Sequence, residues 1–294
     1  MPELPEVETI RRYLREILTD QTVSAVLHLD ERMIKDPVMP GEVLRAGLIG
    51  QRVSDIVRRG KYLFIRWQSR AHLLIHLGMS GRLTWHASTD PVASHTHLRL
   101  RFDTGELRLV DPRRFGRIGW RSPGESLKPD LGVEPFSRQL TPAWLYGRIQ
   151  GRRQPMKTVL LDQTVIAGLG NIYADEALYR AGIHPLAQPV ALDEATIGRL
   201  VGEIQRVLKR AIRHRGTSFS DYVDALGHPG QNQHYLAVYG RTGQPCPTCH
   251  TPIERMVIQG RSSHFCPACQ SLGLPNPDQV RMIGNSPSSE RRRS

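Results

Sequence analysis

The residues of this chain best equipped for chemistry lie at its two ends. Near one end, Cys246-Pro-Thr-Cys249 is followed after 16 residues by Cys266-Pro-Ala-Cys269, a C-x2-C-x16-C-x2-C pattern. Each C-x-x-C pair can turn as a knuckle that offers two sulfurs to one metal, and this spacing suits a four-thiolate zinc site. Two disulfides are the alternative, disfavoured in an intracellular chain of this size. Four thiolates leave no open coordination position, so such a zinc is structural. The residues between the knuckles read as a hairpin with arms Ile253–Ile258 and Ser262–Phe265. Arg255 and Arg261 on it would face either a polyanion or solvent.

At the other end stands Met1-Pro2-Glu3-Leu4-Pro5-Glu6. A small second residue permits removal of the initiator Met, which leaves a secondary amine on Pro2. An α-amino group titrates near 8 and a lysine near 10.4, so about a tenth of such an amine is unprotonated at neutral pH. A secondary amine attacks an aldehyde-like carbon to give an iminium, an electron sink for elimination. Glu3 beside it could move protons. Read alone, the same residues also describe an ordinary helix start.

Charge points to the partner. The 294 residues hold 40 Lys+Arg against 28 Asp+Glu, a net charge of +12. Of the basic residues 35 are Arg and 5 Lys, and Arg suits planar contacts to phosphate and guanine. A high-GC genome also raises Arg over Lys, but the excess of base over acid favours nucleic acid. The excess is not uniform, since the first 20 residues carry three Arg against five acids. No apolar run reaches the roughly 18 residues of a spanning helix. The acidic start argues against a secretory signal, so a soluble, cytoplasmic protein is expected.

Periodicity supplies the elements that must position these groups. Val7, Ile10, Leu14, Ile17 and Leu18 fall on one face of a helix from about Pro5 to Leu18. From Thr22 to about Arg121 the period is two, with strands at Tyr62–Trp67, Leu73–Leu77, Leu98–Phe102 and Leu107–Val110, and a turn at Asp103-Thr104-Gly105. This predicts a β-sandwich covered by the N-terminal helix. Ser122–Pro142, with Pro123, Pro129, Pro135 and Pro142, reads as a linker. Asp193–Arg215 carries a long apolar stripe, acids in its first turn and arginines in its last. The division expected is 1–121, a linker over 122–142, a helical domain over 143–240, a cysteine module over 241–270 and a disordered tail over 271–294.

Several segments together carry a resemblance. Pro2-Glu3-Leu4-Pro5-Glu6-Val7-Glu8-Thr9, Gly60-Lys61-Tyr62, His76-Leu77-Gly78-Met79-Ser80-Gly81, Asp111-Pro112-Arg113-Arg114-Phe115-Gly116 and Gly168-Leu169-Gly170-Asn171-Ile172-Tyr173-Ala174 occur in order before the four cysteines. The chain resembles the formamidopyrimidine-DNA glycosylase family, of the group that includes endonuclease VIII. The resemblance implies an α+β multidomain protein: a helix-capped β-sandwich, a helical domain with a helix–two-turn–helix motif, and a C-terminal four-cysteine zinc finger. It implies a monomeric bacterial base-excision-repair enzyme, nucleoid-associated through damaged double-stranded DNA, with one structural zinc and no organic cofactor.

Residue by residue, the resemblance makes Pro2 the nucleophile at C1′ of the lesion's sugar and Glu3 its acid/base. Lys61 matches the lysine that assists at the lesion and in β-elimination, and Arg261 the finger arginine linked to phosphate binding and δ-elimination. Met79, Arg113 and Phe115 match the three side chains that fill the hole left by a flipped base. Lys157, Asn171 and Tyr173 match phosphate or backbone contacts. His95 and Arg153 match further DNA contacts, Arg153 standing where a lysine is expected. Segment 216–234 matches the loop that closes over the extruded base. The expected substrates are 8-oxoguanine and formamidopyrimidines, the expected steps glycosidic cleavage and β,δ-elimination. Endonuclease VIII-type action on oxidised pyrimidines and a noncatalytic damage-binding role are the alternatives.

Overall fold

The structure is a computed structural model that describes residues 2–35, 38–128 and 130–272. Met1 and nearly all of the expected tail, beyond Leu272, lie outside the described residues. Helix α1 spans Leu4–Leu18. Its Val7, Ile10, Leu14 and Leu18 are buried, the stripe that a 3.6-residue period places on one face. Pro5 sits in the first turn, where its missing N–H forfeits no helical bond.

Eight strands follow: β1 (Ala25–Leu29), β2 (Val53–Arg59), β3 (Tyr62–Trp67), β4 (His72–His76), β5 (Arg82–His86), β6 (Thr96–Phe102), β7 (Gly105–Val110) and β8 (Arg117–Arg121). They form two antiparallel sheets, ordered β1-β6-β7-β5 and β2-β3-β4-β8. Ile56, Leu63, Ile65, Leu73 and Ile75 of one sheet share a core with Leu83, Leu98, Leu100, Leu107 and Leu109 of the other. The apolar stripe of α1 joins the same core and packs on β2 and β3. Burying such side chains contributes about 1.5–3 kcal/mol each, so the sandwich is a stiff base for its loops. Phe102 pairs with Gly105, leaving Asp103 and Thr104 as the two-residue turn.

A second helix, α2 (Gly41–Leu48), interrupts the stretch read as wholly of period two. It is short and buries only two apolar side chains, Leu44 and Leu48. Periodicity cannot separate a pattern of that length from a loop.

The chain forms two compact units, Met1–Pro129 with Ala211–Gln233, and Asp130–Arg210 with His234–Ser294. This departs from the expected division, because segment 211–233 groups with the sandwich rather than with the helices. The expected linker is also partly folded: Gly132 donates its N–H to Gln163 O at 2.8 Å and Val133 bridges Ile166. Pro123 and Pro135 do sit in turns and Pro142 opens a helix, but prolines say nothing of the remaining amides, which seek partners. The second unit contains α3 (Pro142–Ile149), α4 (Met156–Leu161), α5 (Asn171–Ala181), most of α6 (Glu194–Arg213), and a hairpin of β9 (Glu254–Ile258) and β10 (Arg261–Phe265). No described helix is long and apolar enough to cross a membrane.

Candidate functional site

Strand register explains why distant motifs meet in the first unit. Tyr62 pairs with His76, and His76 with Arg117, in one sheet. Val110 pairs with Thr96 and with Arg82 in the other. The β4–β5 and β7–β8 connections run between these two rows, so both rows end at one rim. Lys61 precedes Tyr62, Met79 lies between His76 and Arg82, His95 precedes Thr96, and Arg113 and Phe115 lie between Val110 and Arg117. Five of the expected residues therefore share one end of the sandwich.

The tips differ in exposure. Met79 is 45% and Phe115 47% exposed, a poor use of apolar side chains unless something covers them. Arg113 lies over the Phe115 ring, its guanidinium carbon 4.5 Å from the centroid. His95 is exposed at φ +60°, a left-handed conformation a non-glycine residue adopts at some cost. Lys61 is buried in the two-residue turn between β2 and β3.

Pro2 and Glu3 are buried at the start of α1. Glu3 and Glu6 form a reciprocal capping box, in which the Glu6 carboxylate accepts the Glu3 N–H at 2.8 Å. The other Glu6 oxygen accepts the Thr217 N–H at 2.8 Å. One buried carboxylate thus fastens segment 216–222 to the helix that carries Pro2. Two residues after Glu6, Glu8 accepts from Arg11, Arg12 and Arg58, the last at 3.1 Å. Arg58 also donates to Gly60 O at 3.1 Å, which ties α1 to the hairpin of Lys61. Burial opposes the charge on Glu8, but the Arg11 and Arg58 guanidiniums prevail and hold its carboxyl at about 2.

In the second unit, Gly170 caps the N-terminus of α5, whose first residue is Asn171. Asn171 Nδ2 donates to Ser262 O at 2.8 Å. Lys157 and Tyr173 differ from the expectation of direct contact: they are 1% and 0% exposed. Lys157 Nζ donates to Asn171 O at 3.1 Å and pairs with the Asp175 carboxylate. Asp175 also accepts from Ser263 Oγ at 2.8 Å and His264 N at 2.9 Å. Arg153 is exposed. Arg261 opens β10 and lines a cleft of about 360 Å³ with Gln154, Thr158, Asp162 and Gln259.

The four cysteines form no disulfide. Their sulfurs all lie within 4.8 Å of one another, with separations of 3.9 Å (Cys246–Cys269) and 3.4 Å (Cys249 to both Cys266 and Cys269). A tetrahedron of sulfurs each about 2.3 Å from zinc has edges of about 3.8 Å, so Cys246, Cys249, Cys266 and Cys269 fit one structural zinc. Tyr179 of α5 reaches this cluster, its hydroxyl 3.3 Å from Cys246 Sγ and 2.7 Å from Thr248 Oγ1.

Sequence reasoning assigned no role to Glu6, Glu8, Arg58, Asp175 and Tyr179, which are legible only as helix residues, or for Arg58 a strand residue, until their partners are known. It quoted Asp111 without assigning it. Asp before Pro is a recognised turn signal, because the side chain caps an amide two residues on, and Arg113 N does donate to Asp111 Oδ1 at 3.3 Å.

Comparison with known proteins gives matches along nearly the whole chain. The formamidopyrimidine-DNA glycosylase N-terminal domain matches residues 1–118, the formamidopyrimidine-DNA glycosylase H2TH domain residues 131–223, and the zinc finger found in FPG and IleRS residues 243–272. The formamidopyrimidine-DNA glycosylase of Herpetosiphon aurantiacus is 43% identical over 92% of this chain and 100% of its own length. That of Moorella thermoacetica is 45% identical over 87% and 94%. Among solved structures, a Lactococcus lactis FPG mutant with Fapy-dG containing DNA superposes with a TM-score of 0.86 at 36% identity, covering 92% of this chain and 100% of that one. The wild-type Lactococcus lactis FPG with an oxidized pyrimidine containing DNA gives 0.85 at 36% identity over 92% and 100%.

Proposed function

Since this chain belongs to the formamidopyrimidine-DNA glycosylase family, we propose that it removes oxidised purines, chiefly 8-oxoguanine and formamidopyrimidines, from duplex DNA and then cleaves the strand. The Pro2 nitrogen, freed of Met1, attacks C1′ of the lesion's sugar. The glycosidic bond breaks and the base leaves with its bonding pair and a proton. The amine loses its own proton, and the C1′–O4′ bond then opens to an iminium. Glu3, buried beside Pro2, supplies the proton that O4′ takes. Loss of a C2′ proton expels the 3′ phosphate, and loss of a C4′ proton expels the 5′ phosphate. Lys61 assists the first elimination and Arg261 the second.

Met79, Arg113 and Phe115 enter the hole left by the extruded base. An apolar wedge, a guanidinium able to bond the orphaned partner and an aromatic edge are the types such a hole needs. His95, Arg153 and Asn171 contact the DNA backbone. Lys157 and Tyr173 act from beneath, holding the start of α5, whose helix dipole favours a phosphate. Zinc shapes the finger that carries Arg261. The observation that carries the reading is the buried Pro2–Glu3 pair at the start of α1, tied through Glu8 and Arg58 to the hairpin of Lys61.

Purified protein verified to lack Met1 is mixed with duplexes carrying 8-oxoguanine opposite cytosine, or an oxidised pyrimidine, in the presence of borohydride. The expected result is a covalent adduct on the purine lesion that Pro2→Gly abolishes. No adduct on either duplex would overturn the catalytic reading. Preferential trapping on the pyrimidine duplex would favour the second reading, to which similarity to the Lactococcus lactis complex with an oxidized pyrimidine lends weight.

A further inference from the structure

Asp111 makes more connections at the rim than any mechanism above uses. It directly follows β7 and is 0% exposed. Its Oδ1 accepts from Ser80 Oγ at 2.6 Å and from Arg113 N at 3.3 Å, while Oδ2 accepts from Gly116 N at 2.8 Å. Its backbone joins the third loop: Asp111 N donates to His95 O at 3.0 Å, and His97 Nε2 lies 2.9 Å from Asp111 O. One buried residue thus bonds the neighbours of Met79 and Phe115, the carbonyl of His95 and the amide of Arg113.

The loops it joins are tightly fitted. Gly78 adopts φ +61°, and a Cβ there would lie 2.4 Å from the Phe115 carbonyl carbon. The Met79 loop therefore rests directly on the backbone of the Phe115 loop, and the carboxylate spans that seam. A carboxylate with two oxygens and only acceptor capacity suits two amides and a hydroxyl. Its isosteric amide would turn an N–H₂ toward at least one of these donors.

We infer that Asp111 is a positioning residue for base extrusion: its carboxylate holds Met79, Arg113 and Phe115 in the one arrangement that can enter the duplex together. The inference rests on the void-filling reading of those three side chains. A misplacement of about 1 Å at such a site can cost on the order of 100-fold in rate.

A double-mutant cycle tests it, using single-turnover excision of 8-oxoguanine from duplex DNA. Asp111→Asn is expected to slow excision about 30-fold in the otherwise native chain. In a background of Met79→Ala, Arg113→Ala and Phe115→Ala it should slow it by no more than about threefold, because there are no tips left to position. Equal losses in both backgrounds would overturn the inference, as would an unimpaired Asp111→Asn beside an impaired triple variant. An unimpaired triple variant would instead remove the void-filling reading. Ser80→Ala, which deletes only the hydroxyl bond, should show the same background dependence with a loss of about fivefold, and is decisive if Asp111→Asn does not fold.

Discussion

Replacing Asp175 by Ala should unfold the second unit more readily than any surface change. The carboxylate is 0% exposed and pairs with Lys157, itself 1% exposed. It also accepts from Ser263 Oγ and His264 N, at 2.8 and 2.9 Å. Ala leaves the Lys157 ammonium buried without the Asp175 carboxylate, still donating to Asn171 O at 3.1 Å, and strands the His264 amide. Breaking a buried pair from one side costs about 3–5 kcal/mol. For a unit of this size that corresponds to a fall of about 10 °C in Tm. The double variant Asp175→Ala, Lys157→Met removes the stranded charge and should recover about half of the loss, since a buried pair replaced by apolar groups is often nearly neutral. Urea unfolding followed by the loss of finger-hairpin signals, with Tm from calorimetry, reads both values. A loss below about 1 kcal/mol for the single variant, or a double variant no more stable than the single, would refute the account of Asp175 as the anchor between α4, α5 and β10.

Two further expectations follow from the same contacts. Tyr179→Phe removes the hydroxyl beside Cys246 Sγ, and groups that bond metal ligands commonly alter metal affinity about 10-fold or more; zinc release to a chromophoric chelator should accelerate by about that factor, and an unchanged rate would contradict it. Glu8 titrates at about 2 in the folded chain against 4.5 ordinarily. Its contribution to stability is therefore complete above pH 4.5 and is lost as pH falls toward 2. Glu8→Gln should flatten the stability of the N-terminal unit across that window, measured as Tm against pH, and an unaltered acid limb would exclude the effect.

Much of the fold was legible because burial writes itself into spacing. The stripe of α1 and the run of β3 follow from apolar periodicity alone, as do the four sulfurs from C-x-x-C geometry. Helix α2 was not legible, being too short to show a period. Nor was the membership of segment 211–233, because Glu6 and Thr217 are 211 residues apart and no local pattern announces their bond. The site divides in the same way. The amino-acid order alone determined which residues are chemically able: a proline amine, a neighbouring carboxylate, a sparse lysine and a set of thiols. Only the tertiary structure decided which of them meet and which are withdrawn. Antiparallel register brings Lys61, Met79, His95, Arg113 and Phe115 to one rim, and burial turns Lys157 and Tyr173 inward. The physical reason is that side-chain chemistry is a property of one residue, whereas exposure, pairing and aim are set by hydrogen bonds and packing between residues far apart in the chain.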